Sequence, residues 1–313
     1  MNEKTVAVAD SSTFNWRMGK WSRYGEHVAF LLSAVYGARE KILSLKGSGT
    51  QVVAVRTGEY RTFDPETLQV DEVAEGYFLR RIQERYGNDV GILSEELGSR
   101  VPKSGIPPYY FVSDPFDGSK LYRRGNKAFW YTTLATYSGE GTPLGAAVCN
   151  ILTGEVDFAG ENKAFTGQFV NDELADVKQL MPKSAPNLEK AVLETYLMNP
   201  ARLYPASEIW KPLFQRVGFI VPNGGPAGFT DVARGVVDMY LALQEAHTEN
   251  FSALPIAWAA GLKVTDFAGQ PVRFETDINK QYFLLCTGSP VLHQQVLNII
   301  GEIDWQSAYT IKG

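Results

Sequence analysis

Apolar residues recur at helical spacing between Trp21 and Leu45. Val28, Leu31, Leu32, Val35, Ile42 and Leu45 share one face, and Gly47 and Gly49 close the segment. The pattern predicts a long amphipathic helix. Gln51–Arg56 and Tyr60–Phe63 read as a hairpin around Thr57-Gly58. A second helix is predicted over Val73–Tyr86, with Ala74, Phe78, Ile82 and Tyr86 on one face. Val90–Ser94 and Tyr109–Ser113 are short apolar runs expected to be strands, with a surface loop from Val101 to Pro108. From Phe129 to Phe165 successive β runs (Phe129–Tyr137, Gly145–Ile151, Glu155–Phe158) are parted by turn residues, which predicts an antiparallel meander. Val170–Asn187 is polar and carries Pro182 and Pro186, so it reads as a peripheral hairpin and a linker.

Beyond it, strands predicted at Ala191–Tyr196, Phe219–Pro222, Val237–Leu243 and Tyr282–Thr287 alternate with helices at Ser207–Val217, Phe229–Gly235, Ala253–Phe267 and Pro290–Ile303. Such alternation implies a mixed sheet flanked by helices. The fold class is therefore α/β: an α-β-α-β-α sandwich with an antiparallel-rich first sheet and a smaller mixed second sheet. Two units are expected: residues 1–187, an α+β unit carrying the acidic motifs below, and residues 188–313, an α/β unit completing a cleft.

Composition narrows the partners. A net charge of −5 and a pI near 5.4 argue against a nucleic-acid polymer or an anionic membrane surface. No apolar run approaches a membrane span, and the N-terminus lacks a basic start followed by an apolar stretch, so the cytoplasm is the expected compartment. Cys149 and Cys286 lie in apolar surroundings and read as buried thiols. His27, His247 and His293 show no ligand spacing.

The chemistry concentrates in two places. Residues 114–119 read Asp-Pro-Phe-Asp-Gly-Ser, and about twenty residues upstream Glu95-Glu96 follows the apolar run 90–94. Each cluster ends a predicted strand and is soon followed by glycine. Asp114 and Asp117, three apart around a Pro-Phe turn, bring two carboxylates and the Phe116 carbonyl toward one point. Hard oxygen donors without His or Cys suit Mg²⁺. Glu96 reads as a surface residue. Lys120, Arg123, Arg124 and Lys127 follow the acidic turn; they form either a grip for a second phosphate or a solvated loop.

Glu-Glu after a strand, then Asp-Pro-hydrophobic-Asp-Gly-Ser, resembles the inositol monophosphatase and fructose-1,6-bisphosphatase superfamily of Mg²⁺-dependent, often lithium-sensitive phosphatases. Glu95, Asp114, Phe116, Asp117, Gly118 and Ser119 match its motif one by one. Weaker matches are Asp71 with Glu75, Asn162-Lys163-Ala164-Phe165, residues 256–261 and residues 266–269. The resemblance implies a phosphatase of a small phosphorylated sugar, cyclitol or nucleotide, with a homodimer left open. It implies Glu95, Asp114, Asp117 and the Phe116 carbonyl as metal ligands, Gly118 and Ser119 against the phosphate, and Ser119 held by Asp71 to orient the attacking water. Two departures stand out. Leu68 replaces a family Thr, and Ala257 falls where the family has its last metal carboxylate. Glu249, in the stretch Glu245–Asn250, is the candidate substitute. The alternative is a catalytically impaired relative that binds a phosphorylated metabolite or a protein.

Overall fold

A computed structural model describes residues 3–45, 47–56, 65–103, 105–160, 162–183, 185 and 187–310. The helices are α1 (Glu3–Trp21), α2 (Glu26–Ser44), α3 (Gln69–Tyr86), α4 (Ser119–Arg123), α5 (Pro200–Ile209), α6 (Lys211–Phe214), α7 (Pro226–Arg234), α8 (His247–Phe251), α9 (Leu254–Ala259), α10 (Pro290–Gly301) and α11 (Trp305–Thr310). Strands β1 (Val52–Val55) and β2 (Glu66–Leu68) form an antiparallel ribbon. The predicted strand Tyr60–Phe63 lies outside the described residues.

The large sheet contains β3 (Gly91–Ser94), β4 (Gly98–Arg100), β5 (Tyr109–Asp117), β6 (Tyr131–Ser138), β7 (Pro143–Asn150), β8 (Glu155–Gly160), β9 (Lys163–Val170) and β10 (Glu173–Gln179), in the order β10-β9-β8-β7-β6-β5-β3-β4. Among the described strands of this sheet, only β3 and β5 pair in parallel. The smaller sheet contains β11 (Val192–Glu194), β12 (Phe219–Val221), β13 (Met239–Ala246), β14 (Lys263–Asp266) and β15 (Gln281–Thr287), in the order β12-β11-β13-β15-β14. It is mixed: β11 runs parallel to β12 and β13, and β15 antiparallel to β13 and β14.

Strand alternation builds the layers. On β5, Phe111 joins the core beneath α2 and α3, whereas Tyr110 and Val112 face the middle layer. On β13, Tyr240 and Ala242 face that same middle layer, whereas Met239, Leu241 and Leu243 join the outer core with α5, α6 and α10. Helices α7, α8 and α9 lie between the sheets, with Phe229, Phe251 and Ile256 buried among residues of both. The result is the expected five-layer α-β-α-β-α sandwich. No described helix is long and apolar enough to cross a membrane.

Several boundaries differ from the sequence reading. Trp21 ends α1 rather than opening a helix, and α2 starts after Gly25, whose φ of 98° breaks the run. The predicted helix Ala253–Phe267 is α9 followed by a strand. Gly261 (φ 78°) ends the helical part, and β-branched Val264 and Thr265 pair with β15. The predicted helix Ser207–Val217 divides into α5 and α6, with Asn199 capping the first at the Ala201 N–H.

Gly228 of α7 packs on the Tyr240 ring; an added Cβ would come 2.4 Å from Cδ2 of that buried ring. Gly228→Ala is expected to lower stability by ~1–3 kcal/mol, as overpacking does. An unchanged urea midpoint would show that this layer has slack.

Candidate active site

The parallel pairing of β3 with β5 sets Ser94 opposite Ser113. The next residue on each strand is acidic, Glu95 beside Asp114. The Glu95 N–H donates to the Ser113 carbonyl at 3.1 Å, so the chain stays on β5 as it leaves β3. Glu75, buried in α3, accepts the Ser94 hydroxyl and the Leu97 N–H, each at 2.6 Å. Burial raises the Glu75 pKa, and the two donors offset part of the shift. Glu96, expected at the surface, is instead buried and accepts the Thr67 hydroxyl of β2. That hydroxyl stands one residue before the position where the family's threonine was missed.

Asp114 pairs with Thr133 and Asp117 with Tyr131, so three steps along β5 match two along β6. Pro115 has no N–H to give the ladder, and the extra residue is taken up as a bulge. The Phe116 ring turns into an aromatic cluster, 5.4 Å from Tyr122 and 6.1 Å from Trp130 between centroids. At Gly118, φ is 107° and an added Cβ would lie 2.3 Å from the Phe129 carbonyl oxygen. Only glycine fits there. Ser119 then opens α4.

Glu95, Asp114, Phe116, Asp117, Gly118, Ser119 and Lys120 line one cavity of about 320 Å³. Glu245 and Glu249 line it as well, from the end of β13 and from α8. Asp114 is 2% exposed, and its Oδ1 has no hydrogen-bond donor. Burial holds its pKa well above the usual carboxylate value, and Glu95, Asp117 and Glu249 push in the same direction. A hard divalent cation fits this donor set: every group is oxygen, and the buried Asp114 oxygen lacks a positive partner. Among the described residues no three acidic, histidine or cysteine side chains already form a metal cage.

The other expected residues divide. Asp71 does not line the cavity; it is buried in the first turn of α3 and accepts the Leu68 N–H at 2.7 Å. Arg123 and Arg124 line an adjoining recess instead, and Arg123 pairs with Glu66 at 2.6 Å. Glu249 accepts the Ala246 N–H at 3.1 Å in a short helix that ends before Pro255. Ala257 is fully buried in the middle layer and does not line the cavity. Residues 252–253 separate α8 from α9, and α9 sinks into the core, so the position matched to the family's last metal carboxylate carries a buried methyl group here.

The opposite wall was largely passed over in the sequence. It includes Tyr196, Asn199, Arg202, Asn223, Gly224 and Gly225. The available signal was Gly224-Gly225 before Pro226, a glycine turn feeding a helix start. The Gly225 N–H donates to the Tyr240 hydroxyl at 2.9 Å, and that hydroxyl donates to Glu245. Arg202 donates to the Leu243 and Gln244 carbonyls, where Gln244 sits at φ 57° in a second bulge. Burial raises the Glu245 pKa, against the opposing pull of Tyr240 and Arg202.

Size alone does not select this site. A recess of about 480 Å³ lies between β14, β15 and α11. Its carboxylates are already engaged: Asp266 accepts the Ala268 and Gln270 N–H groups, and Glu275 accepts Lys280 and Tyr282.

The model of the inositol monophosphatase family matches residues 26–304. The chain belongs to this family. Membership implies a phosphatase acting on small phosphorylated metabolites. Solved structures agree in fold. The extragenic suppressor protein suhB from Bartonella henselae is 17% identical, with a TM-score of 0.69 over 87% of this chain and 96% of that one. SaIMPase-II with inositol monophosphate bound is 19% identical, with a TM-score of 0.66 over 86% and 91%. An inositol monophosphatase–fructose 1,6-bisphosphatase is 20% identical, with a TM-score of 0.65 over 89% and 99%. No curated protein matched the sequence.

Behind the cavity wall, Asn223 donates to the fully buried Glu194 at 2.9 Å. Burial and the neighbouring Asp231 carboxylate hold the Glu194 pKa well above 4.5. The unfolded chain therefore releases this proton first, and the native state loses stability as pH rises above about 4.5. Glu194→Gln, which cannot ionise, should gain on the parent by up to ~1.4 kcal/mol per pH unit across that window. Urea unfolding at pH 5 and pH 8 checks this; a constant difference would mean Glu194 is already ionised when folded.

Proposed function

We propose that this member of the inositol monophosphatase family is a Mg²⁺-dependent phosphatase of a small phosphorylated sugar, cyclitol or nucleotide, working in the cytoplasm. The observation that carries this reading is the gathering of Glu95, Asp114, Asp117 and Glu249 on one cavity around a carboxylate oxygen that has no donor. The inositol monophosphate held by SaIMPase-II supports a substrate of this size. The two buried free thiols suit a reducing compartment.

In this reading Glu95, Asp114, Asp117, Glu249 and the Phe116 carbonyl would hold the Mg²⁺. Bound Mg²⁺ would supply Lewis acidity, easing ionisation of water and neutralising charge on the ester. The chain's own groups do the positioning. The Gly118 and Ser119 N–H groups face the phosphate. The Ser119 hydroxyl orients the attacking water, and Asp71 orients that hydroxyl. Water enters opposite the leaving sugar oxygen, so the P–O bond to the sugar breaks as the new one forms.

The second reading, an impaired relative, drew on Ala257 and on Leu68 in place of the family Thr. The support from Ala257 weakens, because residue 257 is in the core and Glu249 lines the cavity.

Asp114→Asn is expected to cut Mg²⁺-dependent phosphate release by at least ~100-fold, since it removes a buried charge from the donor set. A screen of sugar, inositol and nucleotide monophosphates, with and without Mg²⁺, measures this; full activity in the variant would remove the metal assignment. Glu249→Gln should raise the Mg²⁺ concentration needed for half-maximal activity by about tenfold. Ala257→Asp should leave that concentration alone and lower stability by ~3 kcal/mol or more, because it buries an unpaired charge. The reverse pattern in Mg²⁺ titration and thermal unfolding would return the missing ligand to position 257.

A further inference from the structure

We infer that the substrate carries a second anionic group, and that the recess formed by Lys120, Arg123 and Arg124 receives it. The inference rests on the phosphatase reading and deepens it. The recess has a volume of about 510 Å³ and is lined by Glu66, Leu68, Ser119, Lys120, Arg123 and Arg124. Ser119 and Lys120 also line the acidic cavity, so the two spaces adjoin along α4.

Their charges are opposite. The cavity presents Glu95, Asp114, Asp117, Glu245 and Glu249, which suit a phosphate only with cations between. The recess presents three cations against the single carboxylate of Glu66, and accepts an anion with no metal. Residues 120, 123 and 124 stand at i, i+3 and i+4, one face of the α4 turn. That face is fixed from behind. The Tyr122 ring is buried against Phe116 and Trp130, and its hydroxyl donates to the Leu45 and Ser48 carbonyls at 2.6 and 2.7 Å. A loose solvated loop has no such anchor. The Arg123–Glu66 pair is about half exposed on both sides, so it opposes an incoming phosphate only weakly. Arg124 forms no ion pair among the described residues. Guanidinium groups bind phosphate through paired N–H donors, which makes a second phosphate the preferred anion.

The test uses matched pairs: fructose 1,6-bisphosphate against fructose 6-phosphate, inositol 1,4-bisphosphate against inositol 1-phosphate, and adenosine 3′,5′-bisphosphate against 3′-AMP. Calorimetry with Ca²⁺ in place of Mg²⁺ reads binding with the acidic cavity neutralised, and phosphate release with Mg²⁺ reads turnover. In at least one pair the parent protein is expected to bind the bisphosphate about tenfold tighter than its partner, and Arg123→Gln/Arg124→Gln to reduce that ratio below about threefold. The ratio should also shrink in 0.5 M salt, since both arginines face solvent. A parent with no preference in any pair, or a ratio that the double variant leaves intact, overturns the inference. Turnover is judged separately. Phosphate release without bisphosphate preference defeats the recess alone; preference without phosphate release defeats the phosphatase reading alone.

Discussion

The parallel pairing of β3 with β5 is the constraint on which the site depends. Its register places Ser94 against Ser113, and the two acidic motifs follow as neighbours although Glu95 and Asp114 are nineteen positions apart in the chain. A shift of one residue would turn one of the two carboxylates to the opposite face of the sheet. The register is held from both ends of the turn. Glu75 receives Ser94 and Leu97, and the Glu95 N–H reaches Ser113. The bulge at Pro115 then aims Asp117, while the Phe116 ring, sunk among Tyr122 and Trp130, keeps the bulge from sliding.

Much of this was legible in the sequence, for physical reasons. The acidic half lies in two short contiguous motifs, each ending a strand, so residue type and spacing carry its geometry. The sandwich was legible because strand alternation and helical periodicity are local. Less legible was anything assembled from distant segments. The wall of Tyr196, Arg202, Asn223 and Glu245 comes from the segment after β11, α5, the turn before α7 and the end of β13, and no single window contains it. Glu96 looked solvated because its burial comes from β2, twenty-eight residues earlier by the nearest residue, Leu68. The helix expected over 253–267 failed because pairing with β15 overrode an apolar periodicity that a buried strand also satisfies.

Ala257 and Glu249 show that closeness to a motif in sequence does not decide which residue reaches a site. Ala257 falls where the family motif has an acid, and its methyl group is buried in the middle layer. Glu249, eight residues earlier, rides on α8, a separate turn ahead of α9, and lines the cavity.

The Tyr240 hydroxyl joins two pieces of the opposite wall: β13, which bears both the ring and Glu245, to which it donates, and the turn at Gly225, whose N–H it accepts. With Arg202 clamping the neighbouring bulge, this wall is a stiff template rather than a closing jaw. The acidic groups stand mostly on one sheet and this template on the other. The two halves can therefore diverge separately in evolution: exchanges at Tyr196 or Asn199 would recut the mould for the organic part of a ligand while the carboxylates, anchored on β3 and β5, hold their places.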